Sequence, residues 1–167
     1  MRRELGLALL LTTLVAAGPA VALGGQASAR LEVVRGGLSV TAPGDIELPA
    51  AHLDGSPVTV EAPAGTVSVV DTRGGSPGWT LVAQAGRPVD VRGVELGADL
   101  VVVPAAANVP AGVRLGATAA LSAPRALAEA LPGAGAGTWA LTPTIRLTVP
   151  ADTASGAYSA ILVVTIS

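Results

Sequence analysis

The residue order predicts an all-β fold: a single antiparallel β-sandwich of Ig-like or Greek-key type that follows an N-terminal signal peptide. Three observations carry that expectation. Short β-branched runs recur between Gly- and Pro-rich turn signals, the spacing expected of sandwiches and barrels. Within the runs apolar and polar residues alternate, so each strand offers one face to a core and one to water. Prolines at 43, 49, 57, 63, 88, 104, 143 and 150 sit at the ends of runs, where a missing N–H costs a ladder least.

The elements follow in order. Residues 31–43, LEVVRGGLSVTAP, open the series, with Leu38 and Val40 alternating against Ser39 and Thr41. Then come DIELP (45–49), PVTVEAP (57–63), TVSVVDT (66–72), WTLVAQ (79–84), VDVRG (89–93) and ADLVVVP (98–104). After a diffuse middle, TIRLTVP (144–150) and GAYSAILVVTIS (156–167) complete the set. Val58 and Val60 alternate with Thr59 and Glu61, and Ile145, Leu147 and Val149 alternate with Arg146 and Thr148. Only APRALAEALPG, Ala123 to Gly133, has the composition of a helix; between its prolines there is room for a turn or two, and a surface loop suits it better. GAGAG (133–137) reads as a flexible tether or loop tip, and GGSPG (74–78) as a hairpin turn.

The first residues have the organisation of an export signal. Arg2 and Arg3 give a basic start, Leu5 to Ala17 an apolar run too short to span a membrane, and Gly18-Pro19 a break. Small-x-small cleavage sites follow at Ala20-Val21-Ala22 and Ala27-Ser28-Ala29. Cleavage after Ala29 is favoured over Ala22, because Arg30 opens a new pattern; the division is then a signal peptide over 1–29 and a domain over 30–167. No further membrane span is expected after cleavage, and no LPxTG-like sorting motif is present. The expected location is secreted, at the cell surface or wall.

Composition limits the chemistry. Half the residues are hydrophobic but only 2% are aromatic, with no phenylalanine, so the core is expected to consist of Val, Leu, Ala and Ile. All ten basic residues are arginine, and loss of Arg2, Arg3 and Glu4 with the leader leaves eight against eleven acids. That balance gives no electrostatic case for nucleic acid. With no cysteine there is no disulfide, no thiolate nucleophile and no cysteine metal site. His52 is the sole histidine, in a loop context that suggests a solvated residue, and no G-x-S-x-G elbow accompanies it. One imidazole makes zinc improbable, and no D-x-D-x-D loop supports calcium. The acids lie singly along the strands and lack the aromatic platforms of a sugar-cleaving cleft. GGSPG lacks the Gly-Lys-Ser/Thr ending of a phosphate loop. The expectation is a protein that is not an enzyme, with no catalytic residues, no cofactor and no metal.

One stretch stands apart: DTRGGSPGWTL, Asp71 to Leu81. Strand parity puts Trp79, Leu81 and Ala83 on one face and Thr80, Val82 and Gln84 on the other. An inward Trp79 with Leu81 would fill space that a core without phenylalanine leaves open. Asp71 and Arg73, two apart, face the same side and suit a strand-end pair that fixes the turn.

The same residues resemble the first tryptophan motif of the WxL domain: Val67, Val69, Asp71, Arg73, Gly74, Gly78, Trp79, Thr80 and Leu81. Gly97-Ala98-x-Leu100 resembles the segment that follows it, and VPADTASGAYSAILVVTIS (149–167) is similar to the family's closing segment. The resemblance runs from about Leu38 to the end, in diverged form. Aligned on Gly156 and Tyr158, the second W-x-L falls on Val164-Thr165-Ile166, so its tryptophan is missing. Trp139-Ala140-Leu141 spells W-x-L but precedes the VP segment. The WxL domain belongs to secreted surface proteins of Gram-positive bacteria. The resemblance implies an exported, non-enzymatic module associated noncovalently with the cell wall, with peptidoglycan or another wall polymer as partner. The alternative is a structural or adhesive protein that contacts other surface proteins. Trp79, Leu81, Asp71, Arg73 and Trp139 are the candidate binding residues, with Trp139 placed at an edge or exposed, and Tyr158 suits a sandwich corner.

Overall fold

The computed structural model describes residues 30–167; the export signal read over 1–29 lies outside the described residues. Val34–Ser167 form one compact unit, and among the described residues every regular element is a strand.

β1 (Leu38–Thr41) pairs antiparallel with β3 (Val67–Asp71), and β3 with β10 (Gly137–Leu141). β2 (Val58–Pro63) pairs with β11 (Thr144–Val149), followed outward by β6 (Val101–Val103) and β8 (Ala119–Ala120). These two sheets are halves of one ribbon. Leu141 sits opposite Val67 and Thr144 opposite Pro63, so Ala64 to Thr66 face only Thr142 and Pro143. The Ala64 N–H donates to the Pro143 carbonyl at 2.8 Å across the step. An extra residue on one side, opposite a proline with no N–H, makes a bulge that bends the ribbon.

The facing sheet has the order β13 (Leu162–Ile166), β4 (Trp79–Ala85), β9 (Arg125–Ala130), β7 (Val113–Leu115). A short ribbon of β5 (Val89–Asp90) and β12 (Tyr158–Ser159) completes the set. Leu121, wholly buried, ties the two sheets together. Its N–H donates to Leu100 at 2.8 Å, and its carbonyl accepts from Ala85 at 2.9 Å.

Alternation translates into packing as expected. On the β2–β11 pair, Val60 and Leu147 meet inside, while outside Thr59 and Thr148 share a 2.9 Å hydrogen bond and Arg146 pairs with Glu61 at 3.1 Å. Along β4, Trp79, Leu81, Ala83 and Ala85 are buried. They pack with Val67, Val69, Val102, Leu121, Leu127, Leu141 and Ile145 in the main core.

Three expectations need correction. The segment with helical composition forms β9, pairing with β4 on one side and β7 on the other. Between Leu81↔Ala128 and Val82↔Ala126 the register skips Leu127, so Leu127 and Ala128 are both buried. That bulge breaks the two-residue alternation, and tertiary pairing overrides the helix preference of Ala, Leu and Glu. GGSPG is not a hairpin turn: β3 and β4 belong to opposite sheets, and the loop carries the chain across the sandwich. DIELP forms no strand, and in the opening run only Leu38–Thr41 does.

Leu81 is fully buried on β4, between its neighbours β13 and β9. Leu81→Ala is therefore expected to lower the unfolding free energy by about 2–5 kcal/mol. Val163→Ala, on an exposed position of β13, should stay within about 0.5 kcal/mol. Denaturant titrations followed by tryptophan emission measure both.

Candidate functional site

The residues singled out by sequence converge where the 72–78 crossover meets the 131–136 loop. Asp71 ends β3, and its carboxylate is almost wholly buried. Oδ1 accepts from the Arg73 backbone N–H at 3.1 Å and from Nε at 3.0 Å, and Oδ2 accepts from Nη2 at 3.0 Å. The same Nη2 donates to the Gly78 carbonyl at 2.6 Å. One guanidinium therefore closes the crossover from its first residue to its last. A bidentate, partly buried pair of this kind is stronger than a solvated one.

Gly78 hands the chain to Trp79. Its φ is 86° and a side chain there would meet the Ala130 carbonyl at 2.5 Å, so only glycine fits against the end of β9. Trp79 is 3% exposed and its indole N–H donates to the Gly135 carbonyl at 3.0 Å. Trp139, half-buried on β10, donates its indole N–H to the same carbonyl at 3.0 Å. Gly135 itself is buried with φ 82°, and a Cβ would lie 2.4 Å from the Ala130 Cβ and 2.5 Å from Trp79 Nε1. The Gly133 N–H adds a bond to the Ser76 carbonyl at 2.8 Å. GAGAG is thus no tether: it is the acceptor that fastens both tryptophans.

Asp71, Arg73, Trp79 and Trp139 are brought together at this end of the sandwich. Leu81, two residues further along β4, lies in the core beneath. The inward placement of Trp79 and Leu81 and the strand-end pair of Asp71 with Arg73 stand as expected. Trp139 takes the edge position of its sheet half. Beside it a cavity of about 10 Å³, lined by both indoles with Ala106, Asn108, Val109 and Val113, has room for about one water. Tyr158 makes a corner-type bond, its hydroxyl donating to the Ala154 carbonyl four residues back at 2.9 Å. His52 lies exposed in a loop.

One signal in the sequence was missed. Asp71-Thr72-Arg73-Gly74 recurs as Asp90-Val91-Arg92-Gly93, and the second copy folds the same way. Asp90 is buried, accepts from the Arg92 and Val94 backbone N–H groups at 2.8 and 2.9 Å, and pairs with the Arg92 guanidinium at 2.7 Å. Elsewhere Arg87 bridges Asp99 at 2.9 Å and Glu95 at 3.3 Å.

These contacts hold three carboxyls below the usual aspartate range. The Arg73 hydrogen bonds do so for Asp71, against the opposing effect of burial. The Val94 N–H and then Arg92 do so for Asp90, and Arg87 with Ser122 for Asp99. Each arrangement consumes its charge internally. Among the described residues no group of three His, Asp or Glu side chains is placed to hold a metal ion.

The fold and this clamp define an antiparallel β-sandwich whose motif residues fasten two loops. Compared with protein-family models and with curated proteins, the chain matches none.

Carboxyls with depressed native pKa values stabilise the fold above the unfolded value, about 3.9, and lose that contribution as pH falls through the native values. Stability should therefore be level from neutrality to about pH 5 and decline below it. Asp71→Asn should be less stable at pH 7 and show a shallower acid decline, measured by denaturant titration at each pH. Gly135→Ala should cost about 1–3 kcal/mol from backbone conformation alone, more with the clash. It should also shift the emission of both tryptophans.

Proposed function

We propose that this protein is an exported, non-enzymatic module of the bacterial cell surface that associates noncovalently with the wall, with peptidoglycan as the polymer. The ordered WxL-like series from Val67 to Leu81 and the closing Gly156-x-Tyr158 segment support that reading as a diverged member of a Gram-positive surface family. The observation that carries it is the state of the motif side chains. Asp71, Arg73 and Trp79 are spent on the clamp, in the manner of a scaffold and not of reacting groups. What they support at the surface is Trp139, half-buried beside the exposed Asn108 and Val109. An aromatic ring with a neighbouring amide and few charges suits an uncharged glycan face better than a polyanion. In this reading Trp139 is the contact residue and Trp79 its support.

A second reading, an adhesive subunit that meets other surface proteins along a sheet edge, is favoured by β13. That strand ends the order of its sheet, and Ile161 and Val163 are 79% and 52% exposed. Unpaired edges with apolar side chains invite strand addition.

Sedimentation with purified peptidoglycan sacculi separates the readings. The chain from Arg30 onward should pellet with them. Trp139→Ala should retain cooperative unfolding yet lose about tenfold in retention, a loss of about 1.4 kcal/mol. Trp79→Ala should lose stability first. Wild-type protein that folds and stays in the supernatant excludes wall association, and the β13 edge then becomes the surface to test.

A further inference from the structure

β13 ends its sheet, with β4 on one side only. The direction of its backbone groups is fixed at both ends. Ser167 exchanges bonds with Thr80 at 2.8 and 3.1 Å, and the Ile161 carbonyl accepts from the Gly86 N–H at 3.4 Å. Hydrogen-bonded pairs alternate along an antiparallel ladder, so Val163 and Thr165 bond to β4. The N–H and C=O groups of Leu162, Val164 and Ile166 therefore face away from it. Among the described residues no other backbone bonds to these groups. β1 approaches β13 from the facing sheet at this corner but forms no ladder with it.

Monomeric sheets protect such an edge with charge, proline, a bulge or a very short strand. β7, at the other end of the same sheet, carries Arg114, and β2, the outer strand of its own sheet, carries Glu61 and Pro63. β13 has none of these devices. From Thr153 to Ser167 no side chain is charged and no residue is proline, and five successive pairs join β13 to β4 without a register shift. On the inner face Leu162, Val164 and Ile166 are only half-buried, where Trp79, Leu81, Ala83 and Ala85 of β4 are buried. On the outer face Ile161 and Val163 are largely exposed.

The strand that fits this edge is β13 itself. Turned about a two-fold axis through Val164, a second β13 meets the first antiparallel. Val164 then lies opposite its own copy and Leu162 opposite Ile166, so apolar side chains meet on the inner face. On the outer face Val163 lies opposite Thr165. Each of the inner pairs is a hydrogen-bonded one, so every outward N–H and C=O of Leu162, Val164 and Ile166 finds a partner. No like charges are opposed, in a chain whose net charge is −2. We infer that β13 is a self-association edge, through which two copies of this chain join their four-stranded sheets into one continuous sheet. The contact is isologous, the same surface serving both copies. The inference rests on the reading of β13 as a docking edge and names its occupant; it uses none of Asp71, Arg73, Trp79 or Trp139.

The chain from Arg30 onward suits the test, since all strands and both core clusters lie within Leu38–Ile166. Analytical ultracentrifugation from micromolar to near-millimolar concentration should give a reversible monomer–dimer equilibrium, weak because one strand pair is a small interface. Backbone amide exchange should slow with concentration at Leu162, Val164 and Ile166. It should not change at Val163 or Thr165, which bond to β4 at any concentration. Val163→Glu with Thr165→Glu sets like charges opposite each other twice across the axis and should weaken the dimer about tenfold. Val163→Arg with Thr165→Glu alters the same exposed positions but opposes unlike charges, and should dimerise at least as well as wild type. Removal of residues 30–35, among them the exposed Leu31, Val33 and Val34, should change nothing. A monomeric wild type would overturn the inference, leaving the edge to other surface proteins and retention on sacculi as a separate result. Equal behaviour of the two charge variants, or loss of the dimer with residues 30–35, would overturn it as well.

Discussion

The Gly135 carbonyl accepts two indole N–H groups, from Trp79 and Trp139, and the arrangement of this end of the sandwich depends on it. Trp79 begins β4 in one sheet and Trp139 sits on β10 in the other. A single backbone oxygen therefore joins the two layers through the only two tryptophans in the chain. The acceptor can approach because residue 135 has no side chain and adopts a left-handed φ. The donors are held because Gly78 sits against Ala130 and Arg73 grips Gly78 from the far side of the crossover. Removing Arg73 leaves the buried Asp71 carboxylate without its guanidinium, and displacing the Gly135 carbonyl leaves both indole N–H groups without their acceptor; such groups cost more than the bonds they make contribute.

Around that clamp the protein compensates for what its composition denies it. Without cysteine or phenylalanine it has no disulfide cross-links, and the large aromatic in its core is Trp79. It orders its turns with arginine–aspartate pairs instead: Asp71 with Arg73, Asp90 with Arg92, and Asp99 with Arg87. Two of the three use the same D-x-R-G run, in which the carboxylate caps backbone N–H groups and receives the guanidinium two residues on. The charged side chains thereby become parts of loops. The interior is a lattice of Val, Leu, Ala and Ile packed around Leu81 and Leu121, with a second cluster at Val60, Leu96, Leu147 and Val149.

Much of this was legible in the sequence, and the reasons are specific. Alternation at Val58–Glu61 and Ile145–Val149 predicted which residues face the core and which face water, because strand periodicity is a local property. The spacing of Asp71 and Arg73, and the parity that turns Trp79 and Leu81 inward, are local too. What escaped depends on partners distant in sequence. β9 carries helix-forming residues and becomes a strand only because β4 and β7 flank it, with the bulge at Leu127 disguising its period. GGSPG has the composition of a hairpin, but its flanking strands pair elsewhere. GAGAG gave no sign of being an acceptor, since a glycine's role there is to admit two rings from elsewhere in the chain.

The proposed function rests on this division of labour: motif residues fasten loops, and wall contact is proposed for the surface they support. Its central physical claim is that both indoles share one buried carbonyl, and a double-mutant cycle with Trp79→Phe and Trp139→Phe tests it most directly. Either single change leaves the Gly135 oxygen one donor, whereas both together leave it none. Denaturant titrations should therefore show the double variant losing about 1 kcal/mol more than the two single losses combined, the penalty of an orphaned buried carbonyl. Additivity within about 0.3–0.5 kcal/mol would contradict the shared acceptor.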